Sequence, residues 1–182
     1  MYNAGMATAQ ERLERLGDAV SCLRHLERSR LELLHLLESL SDEQLFARPE
    51  AEVWSPAEVA EHIALVEASA GKVIRRLRKV ALGEAEMPPP LPDGQTRPDG
   101  RFLAPPAVEP RGGLSRRELL ERLQAERARV LAEVAESGEA LAHPPTYRHP
   151  FFGELTALGW LQTLAYHEQH HLRQIQMRLK KG

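Results

Sequence analysis

The sequence has little cysteine, little net charge and no long apolar run, and each shortage removes a class of protein. A single cysteine, Cys22, excludes an internal disulfide. A formal net charge of −2 over 182 residues gives no general attraction to nucleic acid or to anionic membranes. No apolar run approaches the roughly 18 residues that cross a bilayer, and the charged start of the chain lacks the apolar core of a signal peptide. We therefore expect one soluble, cytoplasmic domain over residues 1–182, with neither a nucleic-acid nor a membrane partner.

Convincing strand patterns are also missing, whereas apolar residues recur at the three- and four-residue steps of amphipathic helices. Ser55 and Ser115 are each followed three residues later by glutamate, which predicts capping boxes at two helix starts. Four long helices are predicted, over about Thr8 to Ser39, Ser55 to Leu82, Ser115 to Ser137 and Thr156 to Lys180, with one further turn in residues 41–50. The sequence therefore predicts an all-α fold, a four-helix bundle.

Residues 83–113, between the second and third predicted helices, hold most of the 13 prolines of the chain. Proline lacks an amide donor, so this segment is a long loop rather than a helix. The second helix spans about 40 Å at 1.5 Å per residue, and a loop of this length can run back along it. The loop therefore predicts parallel second and third helices, that is, an up-down-down-up order with a Pro-rich crossover.

The last predicted helix carries the string His167-Glu168-Gln169-His170-His171. Histidines four residues apart lie on one helical face, where two imidazoles can bind one transition metal. The string also fits the H-E-x-x-H pattern of zinc proteases, with Glu168 as the base. The tail after His171 holds no His, Asp, Glu or Cys, however, so a third ligand must come from an earlier element. Without a metal, the two histidines would be ordinary, partly exposed side chains.

His62 is the best candidate for the third ligand. It lies near the start of the second helix, which in the proposed topology is at the same end of the bundle as His167 and His171. Alone, His62 would more often be a hydrogen-bonded core histidine. Three neutral imidazoles with an open position are typical of a catalytic metal site, for which zinc and nickel are the expected metals.

Glu168 is the candidate catalytic residue of this site. It lies at the edge of the inward face, so three roles stay open: a general base, a hydrogen-bond acceptor for a metal ligand, or a surface group. His170 points about 100° away from His171 and is a poorer candidate for a ligand. Cys22 has the pattern of a buried small apolar residue rather than a nucleophile.

The stretch WSPAEVAEHIA and the later stretch HPFFGELTALGWLQTLAYHEQHHLRQIQ resemble the DinB/YfiT-like superfamily of metal-binding four-helix bundles. The matched positions are His62, His167, His171 and Gln174, and the resemblance covers nearly the whole chain. It implies an up-down-down-up bundle, a divalent metal on the three histidines and frequent homodimers. Members with known activity include thiol S-transferases that use low-molecular-weight thiols, and others resemble metal-dependent hydrolases.

Three functions remain in competition. The first is a metal-dependent transferase of the thiol S-transferase type, or a hydrolase, that acts on a small molecule. The second is a non-catalytic, stress-linked protein that binds a metal or a ligand. The third is a metalloprotease built on the HEQHH string, against which the missing downstream ligand and the all-helical pattern argue.

Overall fold

A computed structural model describes residues 9–98 and 100–180, so the predicted helix start at Thr8 lies outside the described residues. Two short helices accompany the four long ones, and a small two-stranded hairpin precedes the last helix. The helices are α1 (Ala9–Glu14), α2 (Ala19–Ser39), α3 (Asp42–Phe46), α4 (Pro56–Ala81), α5 (Arg116–Ser137) and α6 (Ala157–Leu179), with 3₁₀ turns at Pro106–Val108 and Gly138–Ala142 and strands β1 (Tyr147–His149) and β2 (Gly153–Leu155).

The fold is mostly helical, and the predicted helix starts are confirmed at their caps. The Ser55 side chain accepts the Glu58 backbone N–H while the Glu58 side chain accepts the Ser55 backbone N–H. Ser115 and Glu118 form the same reciprocal pair at the start of α5. The box satisfies backbone donors that an open helix end leaves unpaired.

Contacts between α4 and α5 show that these two helices are parallel. Near their starts, Glu61 lies 3.8 Å from Arg122. Near their ends, Arg78 and Glu133 form an ion pair with an N···O distance of 3.0 Å. Residue numbers therefore rise together along the pair, as the long crossover predicts.

Helix α6 runs in the opposite direction to α4 and in the same direction as α2. Arg178, near the end of α6, donates to the carbonyl of Trp54 just before α4 begins. Gln162, near the start of α6, donates to the carbonyl of Gly17 just before α2. Since α4 and α5 are parallel, the four long helices are arranged up, down, down and up.

Two sequence predictions about secondary structure were wrong. The first predicted helix is two helices, α1 and α2, because Gly17 has a φ of +75° that ends one helical path. Asp18 then caps α2 by accepting the backbone N–H of Ser21. The expectation of no strand also fails, since β1 and β2 pair antiparallel from Tyr147↔Leu155 to His149↔Gly153. Strands of three residues are too short to give an alternating apolar pattern.

The core consists of two apolar clusters, one toward each end of the bundle. Cys22 is fully buried in one of them, as predicted, and burial raises the pKa of its thiol to about 12. Leu33 and Leu123 are fully buried in the other. Among the described residues, no helix is long and apolar enough to cross a membrane.

Candidate metal centre

Three imidazoles meet where α4 and α6 face each other. The Nε2 atom of His167 lies 2.9 Å from Nε2 of His62 and 3.1 Å from Nε2 of His171. All three candidate ligand atoms lie within 4.8 Å of one another. The antiparallel packing of α4 and α6 brings His62, near the start of α4, to His167 and His171, which lie at and just past the middle of α6.

Hydrogen bonds at the other ring nitrogen assign the tautomers of two of these imidazoles. His62 Nδ1 lies 2.7 Å from the carbonyl oxygen of Val108, which can only accept, so Nδ1 carries the proton. His171 Nδ1 lies 3.0 Å from Gln174, whose side-chain oxygen faces it as an acceptor. In the neutral rings, both Nε2 atoms therefore present lone pairs to His167.

This arrangement suits a cation better than it suits the imidazoles alone. A proton on His167 Nε2 can point fully at only one of the two neighbouring nitrogens, so the other short N···N contact would place a lone pair against a nitrogen with no proton between them. A divalent cation attracts all three lone pairs at once. Tetrahedral Zn–N bonds of 2.0–2.1 Å place ligand nitrogens about 3.3 Å apart. The two short spacings, 2.9 and 3.1 Å, come within a few tenths of an ångström of this value, and the third pair of nitrogens lies within 4.8 Å.

Burial keeps the three rings neutral, as metal ligation requires. It lowers the pKa of His62, partly opposed by the hydrogen bond to Val108. For His167, burial and then the neighbouring His171 and His62 hold the pKa well below its usual value. For His171, burial and then His62 lower the pKa to about 3. No base is thus needed to remove a proton from these histidines near neutral pH.

The Glu168 carboxylate is not part of the histidine group, and of the three roles left open for it, that of a surface group was wrong. Its side chain is 1% exposed, inside the bundle rather than at the surface. Its carboxylate accepts from Ser29 at 2.6 Å, from Arg30 at 2.5 Å and from Arg127 at 2.9 Å. These donors occupy the oxygens of the carboxylate, and Glu168 is not in the histidine group. This environment argues against the catalytic role predicted for Glu168.

The crossover and the hairpin flank the histidines. Val108, in the crossover, supplies the carbonyl that orients His62, and Trp54 lies against the same ring with 5.0 Å between centroids. Hairpin residue Tyr147 donates its hydroxyl proton to the carbonyl of Pro89 in the crossover at 2.6 Å. Sequence analysis missed Val108, because a backbone carbonyl leaves no residue-type signal. The His171–Gln174 spacing of three residues could have identified Gln174 as a hydrogen-bond partner.

His149 of the hairpin and His170 of α6 lie near the three histidines but outside the group of candidate ligands. The His149 ring packs 4.7 Å from Trp160 and accepts the backbone N–H of Phe151 through Nδ1. His170 is exposed and its ring lies 5.2 Å from that of His171. Within the described chain, the group of potential ligands thus consists of His62, His167 and His171.

Fold and site together define a four-helix bundle with a histidine trio that fits a divalent metal. The chain belongs to the DinB superfamily, whose sequence profile matches residues 25–175. It is 33% identical over 149 residues to the uncharacterized protein YuaE of Bacillus subtilis strain 168, a match that covers 81% of this chain and 90% of YuaE. It is also similar to the crystal structure of TT2238, described as a four-helix bundle protein, with a TM-score of 0.66 and 38% identity over 87% of this chain and 98% of that one.

Proposed function

We propose that this protein is a metal-dependent enzyme that acts on a small molecule, as a transferase of the thiol S-transferase type or a hydrolase. The supporting observation is the convergence of three Nε2 atoms from His62, His167 and His171, with two of the rings oriented through Nδ1. No fourth His, Cys, Asp or Glu of the described chain joins the group. An unfilled ligand position is what separates catalytic from structural zinc sites.

When bound to these histidines, zinc or nickel would supply Lewis acidity, which lowers the pKa of a coordinated water or thiol. The protein's own groups favour strong acidity at this position. The partners of His62 and His171 are a neutral carbonyl and a neutral amide, and the buried carboxylate of Glu168, which follows His167 in the sequence, is paired with arginines. Three neutral ligands leave the charge of the cation uncompensated, which favours an anionic fourth ligand such as a thiolate.

Metal content of the purified protein tests the proposal. We expect one equivalent of a divalent metal in the wild type and a large loss in His62→Ala. His35→Ala is the matched control, because His35 is an exposed histidine on α2. Full metal content in His62→Ala would remove His62 from the ligand set and with it the proposed site.

Turnover is the second test. The metal-loaded protein is mixed with low-molecular-weight thiols and electrophilic substrates, and separately with simple ester and amide substrates. We expect turnover that a chelator abolishes and that added metal restores. A protein that holds its metal but turns over none of these substrates would instead favour a non-catalytic role in binding a metal or ligand.

A metalloprotease is the weaker alternative, because the carboxylate of Glu168 is held by Arg30 and Arg127 rather than placed among the histidines. Peptidase activity that disappeared in Glu168→Gln with metal retained would support it. A homodimer and a cytoplasmic location stay predictions. Val20 and Leu31, exposed on α2 and about three turns apart, are the candidate dimer contacts.

A further inference from the structure

A layer of buried charge crosses the bundle between its two apolar clusters. Each long helix contributes one charged residue, and the exposed fractions are 5% for Arg30, 1% for Glu67, 8% for Arg127 and 1% for Glu168. On every one of the four helices, this residue lies between residues of the two apolar clusters. We call these four side chains the ionic layer.

The two arginines of the ionic layer bridge the same two carboxylates. Arg30 Nη2 lies 2.7 Å from Glu67 Oε2 and 2.5 Å from Glu168 Oε2. Arg127 donates to Glu67 through Nε and to Glu168 through Nη2, the latter at 2.9 Å. Ser29 adds a hydroxyl donor to Glu168 at 2.6 Å. Helices α4 and α6, which carry the carboxylates, are therefore tied to each other through shared guanidiniums.

Each arginine also bonds to a backbone carbonyl on a neighbouring helix. Arg30 of α2 donates to Leu123 of α5, and Arg127 of α5 donates to Leu26 of α2 at 2.7 Å. A backbone carbonyl cannot move independently of its helix, so these bonds fix the position of α2 along the axis of α5 more firmly than bonds to a flexible side chain would. A slip of one turn along a helix would move a carboxylate by about 5.4 Å and leave an arginine unpaired.

The ionic layer is poorly explained by stability alone. Desolvation of buried ion pairs offsets much of their attraction, and well-packed apolar residues often serve stability equally well. The best-attested use of such groups is to specify the register of packed helices. The two positive and two negative charges also leave the layer formally neutral.

The ionic layer lies beside the histidine trio. Glu168 directly follows His167 on α6, and Glu67 lies five residues, about 7.5 Å of helix, after His62 on α4. We propose that the ionic layer consists of positioning residues for the metal centre: it fixes the axial offset of α4 and α6 at which the Nε2 atoms of His62 and His167 meet. This inference rests on the proposed metal function.

Cobalt(II) added to the metal-free protein is the probe, because its visible absorption reports coordination geometry and its titration reports affinity. Glu168→Gln keeps the side-chain shape but removes one charge of the layer. We expect it to weaken cobalt affinity about 10- to 100-fold, the range known for loss of groups that orient metal ligands, and to alter the visible spectrum. Glu133→Gln is the matched control, since Glu133 also pairs with an arginine between helices, Arg78 on α4, but at the far end of the bundle.

A second variant separates positioning from stability and covers the case in which Glu168→Gln does not fold. All four residues of the ionic layer are replaced by methionine, which removes charge and keeps bulk. We expect a folded helical protein, by circular dichroism, whose cobalt affinity and spectrum still differ from the wild type.

The outcomes are distinct. If both layer variants bind cobalt with the affinity and spectrum of the wild type, the positioning role is overturned and the metal function still stands. A wild type that binds no cobalt, nickel or zinc would overturn both. Equal losses in Glu133→Gln and Glu168→Gln would assign the effect to general destabilisation and so also overturn the inference.

Discussion

The neutral histidines make the metal-free protein sensitive to mild acid, and His171 gives the sharpest case. Burial, followed by the effect of His62, lowers its folded pKa to about 3, whereas an unfolded histidine titrates near 6.5. Between these values the unfolded chain binds a proton that the folded chain does not. Stability is therefore full above about pH 6.5 and falls as the pH drops below it.

The size of this effect follows from the two pKa values. Between about pH 7.5 and pH 5.0, one histidine with these values removes at most about 2 kcal/mol from the free energy of unfolding. The ring is partly exposed, so solvent screening reduces this figure. Replacement by glutamine removes the titrating group and keeps a polar side chain beside Gln174.

Urea denaturation of the metal-free protein at the two pH values is the assay, with a chelator present throughout. We expect His171→Gln to lose less stability on acidification than the wild type, by a difference of about 1–2 kcal/mol. His35→Gln, an exposed site on α2, should keep the wild-type pH dependence. Equal pH dependence in His171→Gln and the wild type would mean that this ring is not held neutral by its surroundings.

Three further predictions concern the crossover, the metal and the dimer. In Gly94→Ala the new Cβ would lie 2.0 Å from a ring carbon of Phe151. We therefore expect a melting temperature lower by several degrees and faster proteolysis of the crossover. An unchanged digestion pattern would count against close packing of the crossover on the hairpin. Zinc or nickel at about 100 times the dissociation constant should stabilise the wild type by about 2.7 kcal/mol and His62→Ala far less, by thermal melting. Replacement of both Val20 and Leu31 by serine should shift a dimer to monomer in light scattering, whereas an unchanged mass would exclude this face.

Local signals account for the part of the fold that the sequence predicts well. The capping boxes Ser55–Glu58 and Ser115–Glu118 each depend on only four consecutive residues, and both form. The break at Gly17 was missed because apolar spacing continues across it, and a single glycine inside a helical pattern is often tolerated. The hairpin was missed because its strands hold three residues each.

The histidine trio is brought together by topology, and topology was inferred from the length of the crossover rather than from any local motif. The same crossover then supplies the Val108 carbonyl to His62. Any residue type can provide that oxygen, so the sequence gives no means to find it. The three histidines that meet were thus within reach of sequence reasoning, whereas the carbonyl that fixes the tautomer of His62 was not.

Glu168 shows why the HEQHH string alone cannot decide the chemistry. Neighbouring residues on a helix diverge by about 100°, so His167 can face α4 while Glu168 turns toward the other helices. The environment of each side chain depends on the helices that pack against its face of α6. The partners of Glu168 are Arg30, 138 residues earlier, and Arg127, 41 residues earlier. A zinc-protease pattern requires its glutamate beside the metal and free to accept a proton. Two buried guanidiniums supply the opposite environment, and only the three-dimensional structure reveals them.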